Sequence, residues 1–250
     1  MMKLLKVKGV VIKEIAYKDN DKIITLLTDE LGKISCMAKG AKKTNSALLA
    51  SCQLFVYSEF ILYKGTTFYH INSAESIDTF YDLRIDLDKY EKACEISKTL
   101  NSLVYENVEA SGILSLFLNT LYVIAKKDLE FSYVKSVFKL KTLALLGYSP
   151  SITRCSNCNS SMIEKEDKGY YYSFNTNSVL CGNCYTKLSK ENEEKLKGGW
   201  YVKLGQAAFY AIYYILASDS KKVYSFKIDK KAEKEIEKVA DRLYTEQLSF

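Results

Sequence analysis

Lys22–Lys43 reads KIITLLTDELGKISCMAKGAKK, and the fold follows from how this stretch is parsed. Two runs rich in apolar and β-branched residues, Lys22–Asp29 and Lys33–Lys39, flank Glu30-Leu31-Gly32, whose glycine suits a turn. That is a pair of short strands. Upstream, Val7–Ala16 has strand character and ends at the turn-forming Lys18-Asp19-Asn20-Asp21. Downstream, Leu54–Tyr63 and Thr67–Ser76 form two more strands, joined around Lys64-Gly65. Ala41–Cys52 separates strands three and four and is long enough for a short helical or irregular crossing. Five strands with the break after the third suit a small closed barrel of the oligonucleotide-binding (OB) type. Another small barrel, such as an SH3-like one, has the same periodicity.

From Tyr81 the hydrophobic period lengthens to that of a helix. Leu83, Leu87, Tyr90, Cys94, Ser97 and Asn101 mark one face, which Leu100 and Val104 widen. Further helices are expected over Ile113–Lys126 and Glu130–Leu146, the latter stopped by Gly147 with Pro150 just beyond. After a cysteine-rich insert, helices resume over Leu204–Ala217 and Asp229–Leu248. The first of these is apolar on nearly all sides, which implies burial. The second sets Ile236, Val239, Ala240 and Leu243 against a charged, solvated face. The expected class is therefore α+β and multidomain: a barrel over 1–80, the first part of a helical bundle over 81–150, a four-cysteine module over 151–188, and the rest of the helical domain over 189–250.

The strongest chemical signal is Cys155-Ser-Asn-Cys158, followed after 22 residues by Cys181-Gly-Asn-Cys184. Two residues between cysteines let both thiolates turn toward one ion, and a second pair completes the tetrahedral shell of a structural zinc. Four sulfur ligands leave no open position for Lewis-acid catalysis. Gly169–Phe174 and Ser178–Leu180 read as strands that bring the pairs together. The competing reading is a redox-active pair. Cys36, Cys52 and Cys94 lie in apolar contexts and read as small buried hydrophobes.

Composition narrows the function classes. A single histidine, His70, leaves no material for histidine-based triads or metalloprotease helices. No GxGxxG or GxxxxGK[ST] motif is present, so nucleotide-driven chemistry has no visible home. Asp78, Asp82, Asp86 and Asp88 gather at a helix start, where the dipole and capping account for them; a nuclease built on Asp82 and Asp86 would need a partner acid or base that is not apparent. The longest apolar run, Ala207–Ala217, falls short of a membrane span, and the N-terminus lacks a signal-peptide core. The expectation is a cytoplasmic protein with no membrane partner. Net charge is +6, with 36 basic and 30 acidic residues. The cations useful for a phosphate backbone are Lys33, Lys39, Lys42 and Lys43 around strand three, with Lys8 and Lys13 on strand one. Tyr17 and Tyr63, near strand ends, are candidates for base stacking.

Several segments together resemble the RecO family of bacterial recombination mediators. They are Tyr17 with Asp19–Asp21, Ile23–Lys33 (IITLLTDELGK), Ala38–Lys43 (AKGAKK), Tyr81–Leu87 (YDLRIDL), Phe138–Pro150 (FKLKTLALLGYSP) and the two cysteine pairs. Leu48 and Leu49 depart from the pattern, standing where more polar residues are expected. The resemblance implies an N-terminal OB fold and a helical domain carrying one structural zinc. It implies no enzymatic activity, but binding of single- and double-stranded DNA, annealing of complementary strands and, with RecR, help for RecA in replacing single-strand-binding protein. It also implies a contact between the helical domain and the acidic, apolar C-terminal tail of single-strand-binding protein. Lys135, Lys139 and Lys141, beside Val137 and Leu140, are the candidates for that contact. The rival reading is a zinc-bearing scaffold that joins a repair or transcription assembly without touching DNA.

Overall fold

β1 (Leu4–Tyr17) is long enough to serve two neighbours. Its first half pairs antiparallel with β4 (Tyr57–Lys64) from Leu4 to Val10, and its second half with β2 (Asp21–Thr28) from Gly9 to Tyr17. β2 continues into β3 (Lys33–Ala38), and β4 into β5 (Tyr69–Asp78). A short parallel seam, Cys36 opposite Tyr69 and Met37 opposite His70, closes the ring in the order β1-β2-β3-β5-β4. This is the OB arrangement. The computed structural model describes residues 3–106, 108, 111–163, 169–191 and 200–248.

Alternation fills the barrel with Val7, Val11, Ile24, Leu26, Ile34, Cys36, Phe60, Leu62 and Ile71. The crossing contains one helical turn, α1 (Leu48–Ser51), whose Leu48 joins Cys52 in that core. This explains the apolar residue at a crossing expected to be polar. At the β2–β3 turn Gly32 has φ +64°, and a Cβ there would lie 1.7 Å from the Val108 carbonyl oxygen. Only glycine fits.

A bulge between Val11 and Lys13 leaves Ile12 without a register partner. The Ser97 hydroxyl donates to the Ile12 carbonyl at 2.7 Å, fixing α3 (Leu87–Leu103) against the barrel. The helix read as continuous from Leu83 is in fact two, α2 (Tyr81–Arg84) and α3. Asp86, in extended conformation, breaks the run and caps α3 by accepting from the Lys89 N–H at 3.1 Å. Leu83 is buried while Leu87 is exposed, so the two do not share a face. α4 (Ser111–Lys126) completes the first compact unit, 1–129.

The second unit, 130–250, begins with α5 (Phe131–Leu145). The division therefore falls inside the 81–150 segment. α3 and α4 contact one another and strand β1, whereas α5 packs on α7 (Gln206–Ala217) and α8 (Lys230–Leu248). The cysteine module is a sheet in the order β6-β8-β7-β9. β7 (Tyr170–Ser173) and β8 (Ser178–Cys181) match the expected strands, and β6 (Ser151–Cys155) and β9 (Tyr201–Leu204) extend the sheet on either side. α6 (Gly182–Glu191) starts inside the second cysteine pair. Tyr170 stacks on Phe209 of α7 at 3.9 Å, seating the sheet on that helix. No helix among the described residues is long and apolar enough to cross a membrane.

Candidate nucleic-acid interface and metal centre

The segment after β3 is locked to the β1–β2 turn. The Gly40 N–H donates to Asp21 Oδ1 at 2.8 Å, and the Lys42 N–H donates to the Asn20 carbonyl at 3.0 Å. Gly40 supplies the left-handed backbone, φ +67°, that the bend requires. Lys39, Lys42 and Lys43 are exposed on this braced loop. Among the described residues, none of the three has a carboxylate partner within 4.0 Å. Lys18 in the braced turn adds a fourth cation, its Nζ 5.4 Å from the centre of the Tyr17 ring. The sequence hides Lys18 because Asp19 and Asp21 follow it within three residues. The fold turns Asp21 to the loop backbone and leaves Lys18 outside. Tyr17 is partly exposed, whereas Tyr63 stacks on His70 at 4.9 Å.

The other candidate lysines of the barrel do not join this cluster. Lys33 is half-buried and donates to the Asn101 carbonyl at 3.0 Å, and burial lowers its pKa below the ordinary lysine value. It ties β3 to α3, which removes it from the set of free surface cations. Lys13 is exposed beside a cavity of about 900 Å³ between β1–β3 and α3, also lined by Lys33 and Lys98. Lys8 stands opposite Glu59, which pairs with Lys6 at 2.7 Å. It is nine residues from Tyr17 along β1, roughly 30 Å at the rise of an extended strand.

The lysines of α5 require a correction. Lys139 and Lys141 are both buried, at 6% exposure each, because α5 is covered on most of its circumference. Lys139 Nζ pairs with Asp241 Oδ1 at 2.7 Å and sits 4.6 Å from the centre of the Tyr244 ring. Lys141 Nζ donates to the carbonyls of Leu216 and Ser218 at 2.9 and 2.5 Å, capping the end of α7. Burial lowers the Lys141 pKa. These ammonium groups are committed inside their own unit and are not available as cations for an incoming acidic tail. Lys135 is half-buried.

The four cysteines meet as their spacing implies. The sulfurs of Cys155, Cys158, Cys181 and Cys184 all lie within 4.8 Å of one another, and Cys158 and Cys181 are 3.9 Å apart. A tetrahedral tetrathiolate shell with bonds of ~2.3 Å needs sulfurs about 3.8 Å apart. The first pair is shaped by Asn159, in left-handed conformation, whose N–H donates to the Cys155 carbonyl at 2.9 Å. The Ser156 N–H donates to the Val179 carbonyl at 2.9 Å, fastening this turn to β8, which delivers Cys181. Hydrogen bonds from Ser160 hold the Cys158 thiol down to about 6, while burial pushes Cys181 up to about 12. Burial also raises Cys184. The cluster could hold a metal ion, and its donor set suits a closed site of sulfur ligands. It is the only group of three or more metal-capable side chains among the described residues. Asp86 serves as a helix cap, and Asp82 pairs with Lys126.

Comparison with known proteins agrees with this architecture. A family model described as "Recombination protein O N terminal" matches residues 2–80, and one described as "Recombination protein O C terminal" matches residues 84–250. The DNA repair protein RecO of Acetivibrio thermocellus is 36% identical over 99% of this chain and 93% of its own length. That of Caldicellulosiruptor saccharolyticus is 31% identical over 92% and 87%. That of Clostridium acetobutylicum is 30% identical over 89% and 84%. With a closed OB barrel, a helical unit, a four-cysteine cluster and matches along nearly the whole length, the chain belongs to the RecO family of DNA repair proteins.

Proposed function

We propose that the chain is a non-enzymatic recombination mediator. It binds single- and double-stranded DNA, anneals complementary strands and, with RecR, helps RecA replace single-strand-binding protein. The observation that carries this reading is the braced loop bearing Lys39, Lys42 and Lys43 beside Lys18, all outside ion pairs with carboxylates among the described residues. Such a surface displaces counterions from phosphates and lowers the repulsion between two strands. Base pairing then drives annealing, and no active site is needed. The C-terminal tail of single-strand-binding protein remains a proposed partner, without assignment to Lys139 or Lys141.

The metal is proposed to be one structural zinc on Cys155, Cys158, Cys181 and Cys184. Four sulfur donors favour zinc over oxygen-seeking cations, and metal binding contributes directly to folding at such sites. Cys181→Ser is expected to lower zinc content and thermal stability together.

The functional test is annealing of complementary oligonucleotides, naked and coated with the cognate single-strand-binding protein, over a range of salt concentrations. A mediator accelerates both and binds DNA with an affinity that falls steeply as salt rises. A scaffold that binds only proteins shows neither effect, and that outcome would reject the proposal.

A further inference from the structure

The cavity of about 900 Å³ beside Lys13 lies on the outer face of the barrel, and strand alternation builds its floor. Ile24, Leu26, Ile34 and Cys36 fill the barrel, so Ile23, Thr25, Lys33 and Ser35 point the other way. Register lines them up. Lys13, Thr25 and Ser35 form one cross-strand row, and Ile15 and Ile23 stand side by side in the next. α3 supplies the wall. The bonds from Ser97 to Ile12 and from Lys33 to Asn101 tie that helix to β1 and β3, and its Tyr90 and Lys98 line the enclosed space. The lining is mixed, apolar from Ile15, Ile23 and Tyr90 and cationic from Lys13 and Lys98.

This groove adjoins the lysine loop. The Ile15–Ile23 pair is two residues from the Tyr17–Asp21 pair at the braced turn, roughly 7 Å at the rise of a strand. Lys13 and Lys98 are exposed, and among the described residues neither has a carboxylate partner within 4.0 Å. Of the two acids that line the groove, Glu14 is spent on Lys22 at 2.8 Å. The other is Glu106. β3 pairs with β5 only through Cys36 and Met37, which leaves its edge at Lys33 open, and Glu106 bridges to that edge in parallel. Glu106 Oε1 accepts from the Ser35 hydroxyl at 3.1 Å, at the end of the Lys13–Thr25–Ser35 row. Burial lowers the Lys33 pKa, Glu106 works against that fall and Lys13 adds to it, so the two cations and the acid sense one another.

We propose that Glu106 is an internal competitor for the phosphates of a single strand that continues from the lysine loop into this groove. This rests on the mediator reading, in which the loop already holds a strand. Carboxylate and phosphate present the same acceptor chemistry. A backbone oxygen drawn to Lys13 and Lys98 therefore contends with Glu106 for the Ser35 hydroxyl and meets its negative charge. Ile15, Ile23 and Tyr90 offer the apolar and aromatic surface on which unstacked bases rest. Cavities of ~300–1,000 Å³ take ligands of drug size, so a few nucleotides of single strand fit where a duplex does not. An annealing protein gains from such a competitor, because bases held in a groove are not free to pair.

The test measures affinity and dissociation rate of the full-length chain for a fluorescent oligothymidylate and for a blunt duplex of the same length. Glu106→Gln keeps an acceptor for Ser35 and removes the charge. Single-strand affinity is expected to rise about two- to fivefold, the scale of one exposed ion pair, through slower dissociation and with duplex affinity unchanged. Lys13→Ala/Lys98→Ala should lower single-strand affinity about tenfold and abolish the gain from Glu106→Gln, with the melting midpoint kept. If Glu106→Gln melts early, the lysine pair still decides, because both side chains are exposed. Unchanged single-strand affinity in either variant would overturn the groove assignment while leaving the lysine loop intact. An equal gain on duplex would make Glu106 a general repulsive charge, and a gain that survives Lys13→Ala/Lys98→Ala would put its action elsewhere; either result overturns the proposal. Wild-type protein that binds no DNA would remove the mediator reading itself, and the competitor with it.

Discussion

Lys39-Gly-Ala-Lys42-Lys43 and Lys139-Leu-Lys141 look alike as text, two dense lysine stretches with small or apolar residues between the charges. The fold gives them opposite employment. The first is an exposed loop whose backbone N–H groups donate to the β1–β2 turn, so its lysine side chains have no internal duty. The second lies on a helix covered on most sides, where a long stem can bury its methylenes only if the ammonium finds a partner. Asp241 and the end of α7 provide those partners. A lysine's role is thus set by how much of its element is covered, which local sequence spacing does not report.

Four measurements sharpen or break that contrast. The largest effect is expected for Lys39→Ala/Lys42→Ala/Lys43→Ala. At ~0.7 of a salt exponent per lost phosphate contact, single-strand affinity should fall roughly 100-fold near 0.1 M salt, with a flatter slope and a nearly unchanged melting midpoint. Retention of wild-type affinity in filter binding would relocate the DNA surface. Next comes Lys141→Met, which strips two carbonyls of their donor and should cost about 1–3 kcal/mol in urea unfolding while leaving DNA affinity alone. A variant that bound DNA tenfold more weakly at full stability would erase the distinction between the two stretches. Lys139→Met should cost less, about 1 kcal/mol, because Asp241 is half-exposed and regains water when its partner leaves.

The smallest effect is a pH dependence. Burial lowers the Lys141 pKa, so the folded chain releases this proton before the unfolded chain does. In the window below 10.5 the unfolded state then holds more protons, and stability contributed by this site rises with pH. Removal of Lys141 should flatten that rise. A steeper rise in Lys141→Met than in wild type, followed by urea midpoints between pH 8 and 10, would contradict the assignment.

How far the sequence reveals the fold varies with scale. The five barrel strands are legible because each combines strand-forming residues with a recognisable turn, and the cysteine cluster because its spacing alone suffices. β6 and β9 are defined by partners elsewhere in the sheet, which their own few residues do not name. The break between α2 and α3 depends on Asp86 acting as a cap, yet Leu83 and Leu87 sit four apart and mimic one continuous face. Within the candidate interface, Lys39, Lys42 and Lys43 are readable as a basic loop. Lys33 is not readable as a strut, since its acceptor, Asn101, lies 68 residues away.

The same remoteness sets an order in time. β1 to β5 find all their ladder partners by residue 78, so the barrel sheet has its strands early in synthesis. α5 must wait about a hundred residues for α8, with Lys139 reaching across 102 positions to Asp241. While the ribosome makes that intervening chain, the apolar flank of α5 has no permanent cover and is a natural target for chaperones. The newborn protein therefore passes through a stage in which its barrel can be complete while its second half is still waiting for a helix.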